Sequence, residues 1–248
     1  MTEPRILVIT PSRGRPERLA YMLQETLRTS GPGTHVAVGY DDDDSELTGY
    51  EDLAAAIRVI WPGRTLWCRG PRRSMGAWTN WIAGHPRAAR YSYLASFGDD
   101  HVPCTDGWDE ALTAVIEGTG GTGIAWGDDK HQHENLPTAP VISADIAHVL
   151  GWIVLPGVSS KFCDNAWRDL ADLAGCRVYV PQVVIEHVHP DAGKAGMDDT
   201  YRDGNAYWAG DEAVYLAWGR SPGDDMPSQR DLDVRAVRSV MKRARQLA

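Results

Sequence analysis

Tyr91-Ser-Tyr-Leu-Ala-Ser-Phe-Gly-Asp-Asp-His-Val-Pro103 decides how this chain of 248 residues is read. An aromatic, apolar run ends abruptly at Gly98-Asp99-Asp100-His101, and Pro103 has no N–H to donate to further strand pairing. The pattern predicts a buried strand that carries two carboxylates and an imidazole to the carboxyl edge of a sheet. Open α/β sheets bind their ligands at that edge. Adjacent carboxylates repel each other unless a proton or a cation sits between them. A hard divalent ion with oxygen ligands and a bound diphosphate is the usual solution. A solvated acidic turn is the plain alternative.

Working back from this strand, the chain alternates strand and helix. Ile6-Leu-Val-Ile9 reads as a buried first strand ending in Thr10-Pro-Ser-Arg-Gly-Arg-Pro16, a loop dense in turn residues and guanidinium groups. Pro16 suits the first turn of a helix over Glu17 to Arg28, where Leu19, Met22, Leu23 and Leu27 share a face. His35 to Tyr40 is a second strand ending in the acidic block Asp41 to Asp44. A helix from about Tyr50 to Ile60 leads to a third strand, Arg64 to Cys68. Arg72-Arg-Ser-Met-Gly-Ala-Trp-Thr-Asn80 opens another helix with Ser74 as its N-cap. Such alternation predicts a mainly parallel, doubly wound sheet, with the unusual polar loops gathered on one edge.

Working forward, Trp108 to Glu117 reads as a helix and Gly118 to Gly123 as a glycine-rich connection. Ile124-Ala-Trp126 is a short strand ending in Gly127-Asp128-Asp129, followed by the polar loop Lys130-His-Gln-His-Glu-Asn135. Val141 to Leu150 gives a strand end and a short helix. Lys161 to Leu170 starts a helix that Gly175 ends. Val178-Tyr-Val180 and Val183-Val-Ile185 read as paired strands, the second running into Glu186-His-Val-His-Pro190. A polar loop from Asp191 to Asp203 precedes a helix from Ala206 to Trp218. One continuous domain over residues 1–225 is expected, with a basic C-terminal helix over 226–248 packed on it or extending from it.

Composition narrows the classes. The hydrophobic share of 43% and charged share of 24% are those of an ordinary globular protein. No apolar run approaches the roughly 20 residues of a membrane span and no leader pattern opens the chain, so a cytoplasmic location is expected. Four dispersed cysteines (Cys68, Cys104, Cys163 and Cys176) form no C-x-x-C pair and predict reduced thiols. A net charge of −9 disfavours a general polyanion binder, although the tail from Arg235 to Arg245 is basic. Ten tryptophans stand against two phenylalanines. Indole stacks on sugars and bases as well as filling cores.

Several constellations carry chemistry. Backbone amides and arginines in Pro11-Ser-Arg-Gly-Arg15 suit a phosphate or a base edge. Neither the G-x-G-x-x-G fingerprint nor a Walker loop is present. A carboxylate in the Asp41 block can accept from a ribose hydroxyl or a uracil N–H, but four exceed that need and at least two are expected to be solvated. His187 and His189 alternate and face the same side if their strand is regular. One of them is expected to join Asp100 on a manganese or magnesium ion. With His131 and His133 they could instead build a zinc hydrolase site. Asp164, at the start of its helix, is either a cap or a general base for an acceptor hydroxyl. Gly98-Asp99-Asp100 also resembles the Gly-Asp-Asp of RNA polymerases, but nothing else in so short a chain suggests a polymerase palm.

Taken in order, Ile-Thr-Pro-Ser-Arg-Gly-Arg-Pro, the acid-rich end of strand two, Arg73-Ser-Met-Gly-Ala-Trp-Thr-Asn80, Gly98-Asp-Asp-His101 and Glu186-His-Val-His-Pro190 resemble a family-2-type glycosyltransferase of the GT-A fold over roughly residues 5 to 220. The overall style is also similar to glycosyltransferases encoded by bacteriophages. The resemblance implies a single three-layer α/β/α domain with a mostly parallel mixed sheet. It implies a nucleotide-diphosphate sugar donor, often a UDP-sugar, and bound Mn²⁺ or Mg²⁺. Pro11, Ser12 and Arg13, with Arg15, would line the nucleotide site. Asp41 or Asp42 would bind the base or ribose. Arg73 and Asn80, with Gly76 between them, would face the nucleotide and diphosphate. Asp100 would be the metal-binding aspartate of the D-x-D element, with His187 or His189 as a second ligand, and Asp164 would stand near the place of the family's base.

Two departures stand out. Gly98 replaces the first aspartate of D-x-D, so that Asp99 would have to compensate, and Cys163-Asp164-Asn165 lacks the customary Glu-Asp pair. The stereochemical outcome therefore stays open. Trp126, Trp152 and Trp167 are candidates for stacking on donor or acceptor. The acceptor itself, a hydroxyl on a modified DNA base, a protein or a glycan, is not specified. The alternatives to a transferase are a metal-dependent hydrolase built on the histidines and an inert nucleotide-sugar-binding module.

Overall fold

Strand β1 (Ile6–Pro11) shows why the chain folds in layers. It is buried on both faces: Ile6 and Val8 pack to one side, Leu7 and Ile9 to the other. A strand without a polar face must be covered twice, as in a parallel sheet with helices above and below. The structure, a computed structural model, describes residues 5–247.

After β1 come α1 (Pro16–Thr29), β2 (Thr34–Asp41), α2 (Leu47–Ile60), β3 (Thr65–Gly70), α3 (Met75–Ala83), β4 (Tyr93–Ser96) and β5 (His101–Pro103). The second half adds α4 (Trp108–Gly118), β6 (Ile124–Asp128), β7 (Val141–Ser143), α5 (Ala144–Leu150), α6 (Cys163–Ala174), β8 (Arg177–His187), α7 (Asp199–Ala206), α8 (Trp208–Trp218) and α9 (Gln229–Leu247). The strands form one eight-stranded sheet in the order β3-β2-β1-β4-β7-β6-β8-β5. Six run the same way; β7 and β5 oppose them. Helices α1, α2 and α4 cover one face through Leu19, Leu23, Tyr50, Ile57, Trp108 and Leu112. Helices α3, α5, α6 and α9 cover the other. This is the mixed, mostly parallel three-layer α/β/α architecture expected. The carboxyl ends of β1, β2, β3, β4, β6 and β8 share one edge.

Three details differ from expectation. The two valine-rich stretches before Glu186 do not pair with each other; they are halves of the single strand β8. Its first half pairs in parallel with β6, and Ile185–His187 pair antiparallel with β5. Pro181, which cannot donate, sits where the register with β6 shifts between Gly127 and Asp128. The polar stretch after Asp191 is not all loop, because the Asp198 side chain accepts the Tyr201 N–H at 3.0 Å and starts α7 early. Trp126, Trp152 and Trp167 are all buried. The indoles of Trp126 and Trp167 donate to the carbonyls of His133 and Ile153, so these side chains belong to the core.

The basic terminal helix is part of that core. Val234, Val237 and Met241 recur on one face of α9 and pack with residues of α5 and α6, while Trp218 Nε1 donates to Asp233 at 2.8 Å. Arg235, Arg238, Lys242, Arg243 and Arg245 stay exposed. Among the described residues, no helix is long and apolar enough to cross a membrane. The fully buried Val237 gives a direct check. Val237→Asp places an unpaired carboxylate against α5 and α6 and should cost about 3–5 kcal/mol in urea unfolding. An unchanged midpoint would mean that α9 contributes nothing to the folded unit.

Candidate active site

The loop after β1 turns back over the sheet edge and is locked there by buried polar contacts. Ser12 Oγ lies 2.9 Å from Tyr50 Oη and donates to Asp99 Oδ2 at 2.7 Å. Arg15, itself buried, donates to Asp99 Oδ1 at 3.0 Å and to Asp198 at 2.6 Å. Its guanidinium carbon lies 3.8 Å from the centroid of the Tyr201 ring. Pro11 is the last residue of β1 and only partly exposed. Ser12 and the two terminal nitrogens of Arg15 are thus engaged within the protein and hold this loop to the tip of β4.

The acidic block divides in two. Asp41 is buried: one oxygen accepts the Arg73 N–H (3.0 Å) and Trp78 Nε1 (2.7 Å), and the other takes Arg13 (2.8 Å). Asp44 is buried as well and accepts the Gly14 N–H at 2.8 Å. Asp42 and Asp43 remain exposed, and Asp43 accepts from the same Arg13 nitrogen, Nη1, at 2.6 Å. The Arg73 guanidinium lies over Trp78 and Trp81, with its carbon 4.6 and 5.3 Å from the ring centroids. Asp41, Asp43, Arg13 and Arg73 therefore form one cluster where the ends of β1, β2 and β3 meet.

Gly76 and Asn80 do different work. The Gly76 N–H bonds the Ser159 carbonyl, and a Cβ at this position would sit 2.3 Å from the Val158 carbonyl oxygen. The Asn80 side chain accepts the N–H groups of Ile153 and Val154 at 2.9 Å each and donates to the Val154 carbonyl at 2.7 Å. Both residues bind α3 to residues 153–159 rather than presenting free groups at the edge.

At the tip of β4 the adjacent carboxylates part. Asp99 turns toward the β1 loop. Burial raises its pKa to about 6, with Arg15 acting against the rise. Asp100 turns the other way. Its Oδ1 lies 3.4 Å from His101 Nδ1, its Oδ2 lies 3.6 Å from His187 Nε2, and Oδ2 accepts the Tyr201 hydroxyl at 2.8 Å. Burial alone would raise Asp100. The bond with the facing His187 imidazole comes first in outweighing it and, with the neighbouring His101 ring and the Tyr201 hydroxyl, holds the carboxyl below the usual range. Gly98 explains the missing first aspartate. An added Cβ there would lie 2.4 Å from Asp100 Oδ1 and 3.0 Å from His101 Nδ1.

His101 pairs in register with His187 across β5 and β8, which stacks their rings with centroids 4.1 Å apart. Its Nδ1 accepts the Gly98 N–H at 2.9 Å. Burial, then the neighbouring His187, pushes its pKa down to about 3, so it is neutral at ordinary pH. The ring of His189 lies 4.9 Å from that of His187, but its Nδ1 accepts the Asp191 N–H at 3.2 Å. His133 bonds Asp128 at 2.8 Å, and the centroid of the His131 ring lies 6.3 Å from that of His187. The four histidines expected for a hydrolase site are therefore not gathered around Asp100.

Asp164 is the second residue of α6. It is not the N-cap; Phe162, with a φ of 63°, takes that position. Burial raises the pKa of Asp164, and the Asn165 N–H, which donates to it at 2.9 Å, opposes this in part.

Among the described residues, Asp100, His101 and His187 offer ligand atoms that all lie within 4.8 Å of one another. Two imidazole nitrogens there, His101 Nε2 and His187 Nδ1, are buried without a hydrogen-bond partner. One carboxylate and two neutral-capable imidazoles fit a divalent ion that accepts mixed oxygen and nitrogen ligands, such as Mn²⁺. The strand motif contains His101 but carries no sign of its pairing, because its neighbour on β8 lies 86 positions away in the chain. Tyr201 and Asp198 lie in a polar stretch that carries no motif.

No protein-family model and no curated protein matches this chain. Solved structures do. A mannosyltransferase from Pyrobaculum calidifontis, determined in complex with GDP-Man and Mn²⁺, aligns with a TM-score of 0.62 at 12% identity over 99% of this chain and 73% of its own. TarS from S. aureus aligns at 0.57 with 11% identity over 87% of this chain, which spans 44% of the length of TarS. A 4-diphosphocytidyl-2C-methyl-D-erythritol synthase from Anaerococcus prevotii aligns at 0.52 with 10% identity, covering 84% and 97% of the two chains. At such identities the likeness is one of architecture, and this chain has the GT-A-type α/β fold that those structures share.

Proposed function

We propose that this protein is a metal-dependent glycosyltransferase that moves a sugar from a nucleotide-diphosphate donor to a hydroxyl acceptor. The observation that carries the reading is the Asp100, His101 and His187 donor set at the carboxyl edge, beside the Arg13–Asp41–Arg73 cluster. Support also comes from the mannosyltransferase neighbour, whose own ligands are GDP-Man and Mn²⁺. In this reading Asp100 and His187, with His101, hold a Mn²⁺ or Mg²⁺ ion. Once bound, such an ion offsets the charge that develops on the departing diphosphate.

The protein groups divide the remaining work. Arg13, Arg73 and Asp42 face the nucleotide, while Asp41 holds those two arginine-bearing segments together. Asp99, with Ser12 and Arg15, fixes the β1 loop. Asp164 accepts the proton of the acceptor hydroxyl. Burial raises its pKa, which makes it a stronger base than an exposed aspartate.

The donor nucleotide is uridine in the reading from sequence and guanosine in the mannosyltransferase neighbour. Melting curves with Mn²⁺ plus UDP or GDP distinguish the two, since only a ligand that binds the folded state raises the midpoint. Product analysis separates transfer, which releases the nucleoside diphosphate, from the nucleotidyl transfer suggested by the synthase neighbour, which releases pyrophosphate. A joint screen of donors and of DNA, protein and glycan acceptors then identifies the substrate pair.

Two outcomes are expected. Asp100→Ala should abolish the Mn²⁺-dependent stabilisation by nucleoside diphosphate while leaving the metal-free midpoint within a few degrees. Retained stabilisation would count against the metal role. Asp164→Asn should keep nucleotide binding but lower transfer by about 10²–10⁴-fold. The wild-type rate should fall as pH drops through the raised Asp164 pKa, because only the ionised carboxylate accepts a proton, and Asp164→Asn should lack this acid limb. An unaltered limb in the variant would assign the base elsewhere.

A further inference from the structure

Tyr201 is buried, although α7 otherwise lies at the surface. Its hydroxyl has three neighbours. Arg18 Nη1 donates to it at 2.5 Å, so its own single proton is left for an acceptor. Asp100 Oδ2 lies at 2.8 Å and the Val188 carbonyl at 3.3 Å. The shorter, charge-assisted bond to the carboxylate is the stronger.

The ring is held as firmly as the hydroxyl. The Arg15 guanidinium covers one side, with its carbon 3.8 Å from the centroid, and His189 meets the ring edge-on at 4.8 Å. The helix is fixed too. Asp198 accepts both the Tyr201 N–H and Arg15 Nη2, and Thr200 Oγ1 donates to the Arg13 carbonyl at 2.9 Å.

An aspartate χ2 is a soft torsion with broad minima, so a ligand carboxylate needs an outside partner to fix its plane. In Asp100 each oxygen faces a different imidazole, Oδ1 toward His101 and Oδ2 toward His187. Tyr201 is the remaining hydroxyl donor to that carboxylate, and it comes from a segment about 100 residues further along the chain.

We propose that Tyr201 is the positioning residue of the metal carboxylate. Its O–H fixes the rotation of Asp100 so that both oxygens stay aimed at the two histidines. Helix α7 is the clamp that keeps the phenol in place, and Asp198 with Arg15 holds it well enough that loss of the Thr200 bond alone is tolerated. The inference rests on the metal reading of the preceding subsection and extends it to a residue that makes no contact of its own with the reacting groups. Partners that orient a ligand carboxylate affect metal affinity by about 10–100-fold when removed.

The test is Mn²⁺ titration followed by electron paramagnetic resonance, in saturating GDP and separately in saturating UDP, for wild type, Tyr201→Phe and Thr200→Ala. Tyr201→Phe keeps the ring between Arg15 and His189 and removes only the hydroxyl. Thr200→Ala loosens the clamp and leaves the hydroxyl in place. The expected result is a Mn²⁺ Kd weakened about 10–100-fold in Tyr201→Phe, an altered spectrum of the bound ion, a melting temperature in chelator close to wild type, and a much smaller change in Thr200→Ala. Wild-type affinity in Tyr201→Phe, or an equal loss in both variants, would overturn the positioning role while leaving the metal site standing. No bound Mn²⁺ in the wild type with either nucleotide would overturn the metal reading, and this inference with it.

Discussion

Two neighbouring carboxylates at the tip of a buried strand cannot share one environment. Asp99 and Asp100 follow each other in sequence, and the fold turns them apart. Asp99 takes Ser12 and Arg15 and becomes the anchor of the β1 loop. Its burial raises its pKa to about 6, with the Arg15 charge opposing that rise. Asp100 faces two imidazoles and a phenol, and these hold it ionised. One acid is used to assemble the edge and the other is presented by it. Arg15 links the two halves, since it binds Asp99 through one nitrogen, Asp198 through another, and lies over the ring that holds Asp100.

Gly98 belongs to the same constraint. A first aspartate at that position would need the space that Asp100 Oδ1 and His101 already fill. His101 and His187 are brought together beside Asp100 by the β5–β8 pairing. The chain arrives at one carboxylate with two imidazoles through long-range pairing of short strands.

Much of this was legible in the sequence. The apolar run into Gly98-Asp-Asp-His101, the alternation of strand and helix, and the turn residues after each strand were enough for the three-layer sheet and for the gathering of polar loops on one edge. What escaped depended on register and distance. A strand as short as β5 carries no periodicity, so His101 looked like the end of β4 rather than a partner of His187. Val178 to Ile185 looked like two strands because Pro181 and Gln182 interrupt the apolar pattern, yet a register shift lets one strand pass through. Tyr201 lies in a polar stretch whose helix begins only because Asp198 caps it. Asn80 and Gly76 have the right residue types for a nucleotide site, but their bonds run to the backbone of residues 153–159, a partnership that no local spacing announces.

The functional account thus depends on a cation held at the rim by Asp100, His101 and His187, and anomalous diffraction tests that most directly. Crystals grown with Mn²⁺ and a nucleoside diphosphate, measured on both sides of the manganese absorption edge, should give a single strong peak bonded to Asp100 and His187, with the diphosphate on its open side. A nucleotide bound elsewhere, or a peak away from these side chains while Asp100 keeps only its protein partners, would contradict the account.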